Sequence, residues 1–142
     1  MRIFTIQSAS VSELDSLDSA SSITLPEHGY LWIACSRDEF GSQQKEVQSM
    51  LHERCGIQIV DLHVSDLLNP YIPSHYDYTY QYDILVFRRL TSASGSSETI
   101  PRENRMAPAK HRGGPPIVKR IDTSPVGFAV FGQILLSVHP TD

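Results

Sequence analysis

The side chains with the chemistry of metal ligands lie close together, between residues 61 and 77. They are Asp61, His63, Asp66, His75 and Asp77. Imidazole and carboxylate groups together supply the mixed ligands that transition-metal ions accept. One hypothesis is therefore a soluble metal-dependent hydrolase that uses His63, Asp66, His75 and Asp77. No second motif completes the ligand set, however, and aspartate and histidine are also common in turns.

Other catalytic and nucleotide-binding motifs are absent from the sequence. It has no Gly-x-Ser-x-Gly element, no GxxxxGK and no GxGxxG. Gly113 and Gly114 precede two prolines, so they cannot open a helix around a phosphate. Cys35 and Cys55 belong to no CxxC pair, which favours reduced thiols over a disulfide or a zinc site. We therefore expect that the chain is not an enzyme and has no firmly bound cofactor.

The basic residues are concentrated in one stretch near the C-terminal end. Residues 1 to 83 carry 12 acidic and 4 basic side chains, whereas residues 84 to 142 carry 4 acidic and 8 basic ones. The stretch consists of Arg102, Arg105, Lys110, His111, Arg112, Lys119 and Arg120. It could bind an anionic surface or a protein, which would make the chain an adaptor. It lacks interleaved aromatic side chains, so we expect no nucleic-acid partner, and a solvated loop remains the alternative.

Tyrosines are concentrated between residues 71 and 82, which hold five of the six in the chain. Tyrosine offers a large contact area at low entropic cost, so this segment could form a recognition surface. It also leads directly into the apolar run Ile84–Phe87, and packing around the start of a strand would explain it equally well. The sequence leaves both interpretations open.

Length and hydropathy predict one soluble domain. The chain has 142 residues and a mass of 15.9 kDa, which is enough for one hydrophobic core. Its longest apolar run, residues 128 to 138, is shorter than the roughly 20 residues of a membrane-spanning helix. The N-terminus has no apolar core of a signal peptide. We therefore expect a single cytosolic domain over residues 1–142, with no transmembrane part within them.

Apolar periodicity predicts alternating strands and helices. Strands are expected at Arg2–Gln7, Tyr30–Cys35, Ile57–Val64, Ile84–Phe87, residues 117–121, Val126–Phe131 and Gln133–His139, with a hairpin turn at Gly132 and Gln133. Helical segments are expected within residues 8–22, capped by Ser10 or Ser12, from an N-cap at Ser36 to Gly56, and as a short turn at Asp66–Asn69 capped by Ser65. Residues 91 to 116 are expected to form a long flexible loop. The β-α-β order indicates an α/β fold.

An ordered set of short motifs resembles the N-terminal cytoplasmic domain of CorA-type magnesium and cobalt transporters. The motifs are Trp32-Ile33, a helix ending at Gly56-Ile57, Asp66-Leu67-Leu68-Asn69, Tyr82 to Arg88, Val126-Gly127-Phe128 and Leu135 to His139. The resemblance covers nearly the whole chain. It implies an α/β/α sandwich with a central mixed sheet, which forms the cytosolic funnel of a homopentameric channel at the inner face of the membrane. The membrane-spanning part would lie outside this chain.

The same resemblance implies a regulatory role for Asp66. In that family an aspartate at the matching position binds a regulatory divalent ion together with a carboxylate of a neighbouring subunit. Mg²⁺, which the family transports along with Co²⁺, would screen these carboxylates and hold the pore closed. Ser65 stands where the family usually has glutamate, and two extra residues lie between Gly56 and Asp66. Despite these departures, the resemblance implies that Asp66 is a regulatory ligand for Mg²⁺, and the isolated domain is expected to bind the ion weakly because a single carboxylate leaves it mostly hydrated.

Overall fold

A computed structural model describes residues 1–91 and 122–141. Most of the predicted loop and the predicted strand at residues 117–121 lie outside these ranges, as does the basic stretch. The described elements are β1 (Arg2–Gln7), β2 (Ser10–Leu14), α1 (Leu17–Ser22), β3 (Tyr30–Ser36), α2 (Arg37–Ser42), α3 (Gln44–Cys55), α4 (Asp61–Leu68), β4 (His75–Tyr78), β5 (Asp83–Leu90), β6 (Thr123–Phe131) and β7 (Ile134–His139). None of the described helices is both long enough and apolar enough to cross a membrane.

The strands form a seven-stranded mixed sheet in the order β2-β1-β3-β7-β6-β5-β4. Strands β3 and β7 are parallel, whereas the other neighbouring strands are antiparallel. Strands β6 and β7 are joined by a two-residue turn in which Gly132 has a φ of 50°, a conformation that favours glycine. The predicted α/β class, the central mixed sheet and the hairpin at Gly132 are confirmed.

The described helices contribute to one core, which lies on one face of the sheet. Alternate residues of the inner strands point into it, among them Leu31, Ile33, Ile84 and Leu136. Ala20, Phe40, Leu51 and Leu67 are helical members of the same core, one from each of the four described helices. The second helical layer of the predicted sandwich is not among the described residues and stays a prediction.

The opposite side of the sheet, which we call the open face, is partly exposed and largely apolar. The cross-strand register places on it Phe4, Trp32, Tyr76, Tyr78, Leu85, Phe87, Phe128, Val130 and Leu135. These residues are half-buried or exposed, whereas on the inner strands most of their neighbours along the strand are buried in the core. The sheet is therefore covered by described helices on one side only.

The predicted helix from Ser36 to Gly56 is present as two helices, α2 and α3. Ser36 and Glu39 form a capping box at its start, and Gly56 ends it in the left-handed conformation with a φ of 66°. The break falls at Gln43, where φ is −111° and ψ is 21°. Both predicted boundaries are confirmed, but the break at Gln43 that divides the predicted helix in two was not predicted.

Some local predictions are wrong. Residues 10 to 14 form strand β2, because they pair with β1 through a tight turn in which Ser8 has a φ of 48°. The helix that follows is capped by Ser16, not by Ser10 or Ser12. The predicted strand Ile57–Val64 is also absent: helix α4 begins at Asp61 and is not capped by a side chain. Its buried residues His63, Val64 and Leu67 have helical spacing.

Gly127 allows α4 to approach the sheet. A Cβ atom at this position would lie 2.3 Å from Cδ2 of Leu67, which is itself buried. We expect Gly127→Ala to destabilise the protein by about 1–3 kcal/mol through overpacking. Gly41→Ala is the matched control, because its Cβ would lie at an ordinary 3.5 Å from Leu68 and alanine favours a helix. If urea denaturation showed both variants to be equally stable, the close packing of α4 against Gly127 would be contradicted.

Candidate functional site

The candidate ligands are positioned by helix α4 and by the β4–β5 hairpin. The connection between them is held by Arg88, whose Nη1 donates to the carbonyl of Ile72 at 2.9 Å. Its Nη2 donates to the carbonyl of Thr123 at 2.6 Å, and its backbone N–H donates to Oγ of Ser74 at 3.0 Å. Edge strand β4 is thereby fixed beside α4, so side chains 14 residues apart in sequence can meet.

Tyr82, His63 and Asp77 form a hydrogen-bonded chain between these elements. The hydroxyl of Tyr82 lies 2.7 Å from Nδ1 of His63, and Nε2 of His63 lies 3.1 Å from Oδ2 of Asp77. The same hydroxyl accepts the backbone N–H of Val60 at 3.0 Å, just before α4 begins. Tyr82 and His63 are buried, whereas Asp77 is exposed. This hydrogen-bonded series of side chains therefore links the core to the surface at the start of α4.

The donors and acceptors determine where the protons lie when His63 is neutral. An ionised Asp77 can only accept, so Nε2 of His63 carries the proton. Nδ1 then accepts the hydroxyl proton of Tyr82, whose oxygen remains available to the N–H of Val60. The hydrogen bond from His63 lowers the pKa of Asp77, and the backbone N–H of Tyr78 lowers it further. Burial raises the pKa of Tyr82, which keeps it a hydroxyl donor.

Asp66 and His75 form a second pair nearby. Nε2 of His75 lies 3.5 Å from Oδ2 of Asp66, and both side chains are partly accessible. Asp66 lies within α4, not in the short turn predicted for it, and Ser65 precedes it inside the helix. The structure therefore places Asp66 at the protein surface with a histidine as its described partner.

The four residues of the hydrolase hypothesis thus form two pairs, His63 with Asp77 and Asp66 with His75. Among residues 1–91 and 122–141, no group of three or more histidine, cysteine, aspartate or glutamate side chains could hold a metal ion. Both ring nitrogens of His63 are already hydrogen-bonded within the protein. The geometry of the described residues gives this hypothesis no support, and Asp66 fits a metal ion only as one ligand of a site completed elsewhere.

The tyrosine-rich segment combines the two interpretations that the sequence left open. Tyr82 is buried, and its ring packs at a tilt of 37° against that of the core residue Phe131, with the ring centroids 4.9 Å apart. Tyr71, Tyr76, Tyr78 and Tyr80 are exposed. Nothing in the sequence distinguishes Tyr82, whose hydroxyl is hydrogen-bonded to His63, from the other tyrosines of the segment.

The hydroxyl of Tyr82 can be tested directly. In Tyr82→Phe the N–H of Val60 and Nδ1 of His63 both lose their partner while the ring packing is kept. We expect a loss of about 1–3 kcal/mol in the free energy of unfolding. Tyr80→Phe is the matched control, because Tyr80 is 95% exposed. Equal stability of the two variants in urea denaturation would show that the hydrogen-bonded chain does not stabilise the fold.

Asp77 predicts a pH dependence with a definite sign. Its pKa in the folded protein lies below the ordinary value of 3.8. Its contribution to stability is therefore complete above that value and is lost as the pH falls through the lowered pKa. Between pH 5 and about pH 2, Asp77→Asn should lose less stability than the wild-type protein. Glu27→Gln, at an exposed turn, is the control, and an unchanged acid profile in Asp77→Asn would refute the assignment.

Comparison with solved structures identifies the fold. The structure of the full-length CmaX protein matches with a TM-score of 0.60 at 11% identity, over 100% of this chain and 35% of that chain. The soluble domain of CorA from Methanocaldococcus jannaschii matches with a TM-score of 0.48 at 13% identity, over 99% of this chain and 41% of that chain. No protein-family model matches the sequence, and no curated protein matches it significantly.

The fold assignment depends on CmaX, whose similarity extends over the whole of this chain. This chain spans 35% of the length of CmaX, so the comparison concerns one part of that protein. At 11% identity the likeness concerns architecture. CmaX is a CorA-family protein, and the predicted resemblance is confirmed at the level of the fold alone: the whole chain has the fold of part of CmaX.

Proposed function

We propose that this chain is the cytosolic regulatory domain of a CorA-like transport protein for Mg²⁺ and Co²⁺. The observation that carries the proposal is the match between the whole chain and part of a CorA-family protein. The ordered motifs in the sequence support it independently. In this role the domain is not an enzyme. It contributes to the cytosolic funnel of a homopentamer at the inner face of the membrane, next to a transmembrane part supplied outside residues 1–142.

Asp66 is the residue proposed to sense the divalent ion. Its carboxylate lies on α4, is partly accessible and has His75 as a described neighbour. Mg²⁺ prefers an octahedron of oxygens and keeps several waters when few carboxylates are offered. Asp66 would supply one oxygen, and a carboxylate of an adjacent subunit would supply another. Loss of the ion would leave two like charges facing each other, and their repulsion would loosen the subunit interface.

The test is a Mg²⁺ titration of the 142-residue chain followed by amide chemical shifts. We expect weak binding, with a dissociation constant in the millimolar range or above, because one carboxylate leaves the ion largely hydrated. The shift changes should centre on Asp66 and be lost in Asp66→Asn. Asp61→Asn, at an exposed position of the same helix, should keep them. Tight stoichiometric binding, or binding unaffected by Asp66→Asn, would contradict the proposed site.

A further inference from the structure

The hydrogen-bond partner of Nδ1 determines which ring nitrogen of His75 carries the proton. Nδ1 lies 3.1 Å from the carbonyl oxygen of Pro73, and a carbonyl oxygen can only accept a hydrogen bond. The proton of the neutral ring is therefore on Nδ1. Nε2 then carries a lone pair and faces Oδ2 of Asp66, which is also an acceptor. Two acceptor atoms thus face each other between β4 and α4.

The distance between these two acceptors is that of two ligands of one metal ion. Nε2 of His75 and Oδ2 of Asp66 are 3.5 Å apart, whereas an N–H···O hydrogen bond is ordinarily about 2.7–3.2 Å long. A nitrogen and an oxygen that each lie about 2.1 Å from a tetrahedral ion are about 3.4 Å apart. The two atoms therefore already have the separation that a shared tetrahedral ion requires.

The surroundings of His75 are those of a metal-binding histidine. Such a histidine almost always donates its other ring N–H to a carbonyl, a carboxylate or water, which fixes the tautomer and the orientation of the ring. The carbonyl of Pro73 provides this contact. The side chain of His75 is 28% accessible and that of Asp66 is 22% accessible. An ion from the solvent can therefore reach both atoms while the ring stays oriented.

The neighbouring pair, His63 and Asp77, differs because its ligand atoms are already in use. Both ring nitrogens of His63 are hydrogen-bonded. Oδ2 of Asp77 interacts with His63, and its Oδ1 accepts the backbone N–H of Tyr78 at 2.7 Å. Among the described residues, the lone pair of His75 is therefore the imidazole lone pair of the two histidines that is available to an ion. The site has one nitrogen and one oxygen from this chain.

We propose that Asp66 and His75 form a two-ligand site for a transition-metal cation of the class of Co²⁺, Ni²⁺ and Zn²⁺, in preference to Mg²⁺. Imidazole suits these cations, whereas Mg²⁺ prefers oxygen ligands and releases its waters reluctantly. Water completes the coordination in the isolated chain, and a carboxylate of an adjacent subunit would replace one water in an assembly. Binding follows from the pair itself, but its regulatory meaning rests on the proposed function, in which Asp66 senses the ion.

Calorimetric titration of the 142-residue chain with Co²⁺ and with Mg²⁺ tests the proposal. At about pH 7.5, where histidine is ordinarily neutral, we expect Co²⁺ to bind at least about tenfold more tightly than Mg²⁺. His75→Asn should weaken Co²⁺ binding by about tenfold or more and leave Mg²⁺ binding unchanged. His52→Asn, at an exposed position of α3, is the matched control and should change neither. Circular dichroism would verify that both variants are folded.

The nitrogen chemical shifts of the His75 ring provide a second measurement, which needs no variant. In the ion-free chain at the same pH they should show the proton on Nδ1. Zn²⁺, which is diamagnetic, should shift Nε2 while Nδ1 keeps its proton. A proton on Nε2, or on both nitrogens, would overturn the proposal, because the pair would then be a hydrogen bond or an ion pair only.

The same titrations distinguish this site from the proposed function. Co²⁺ and Mg²⁺ affinities that are equal, depend on Asp66 and are unchanged in His75→Asn would overturn the two-ligand site and leave the proposed function standing. Co²⁺ binding that is lost in both His75→Asn and Asp66→Asn, with no response of Asp66 to Mg²⁺, would support the site and contradict the Mg²⁺ sensor of the proposed function.

Discussion

One cross-strand row of apolar side chains holds the described structure together. Ile3, Ile33, Leu136, Ala129 and Ile84 lie side by side on five neighbouring strands, β1, β3, β7, β6 and β5. All five are buried and form part of the core that the helices cover. Because side chains alternate along a strand, this row also determines which residues lie on the open face. A shift of one residue in the register of any strand would exchange the buried and the open-face side chains of that strand.

The sequence predicted well those elements whose signals are local. The capping box at Ser36, the left-handed Gly56 and the turn at Gly132 each follow from the chemistry of one or two residues. Elements that depend on tertiary contacts were predicted less well. Strand β2 carries few apolar residues and exists because it pairs with β1. Residues 61 to 64 alternate well enough for a strand, but Val64 and Leu67 are buried together on α4, a spacing that only the helix provides.

The candidate site was also predicted only as far as local sequence allows. The sequence named His63, Asp66, His75 and Asp77 as one group, since they are close along the chain. Their grouping into two pairs depends on the distance between α4 and β4, which Arg88 sets through the carbonyls of Ile72 and Thr123. The role of Tyr82 could not be predicted, because it is one of five tyrosines within twelve residues and nothing in the sequence separates it from the other four. Asp66 remains a prediction from family resemblance, placed by the structure at an accessible position on α4.

The central proposal is that this chain serves divalent-cation transport. Its most direct test is Mg²⁺ and Co²⁺ uptake by the cells that naturally encode this chain, measured before and after deletion of its gene. The account predicts that deletion lowers uptake. It also predicts that Asp66→Asn abolishes the closing of the pathway when internal Mg²⁺ rises. Unchanged uptake of both ions after deletion would contradict the account.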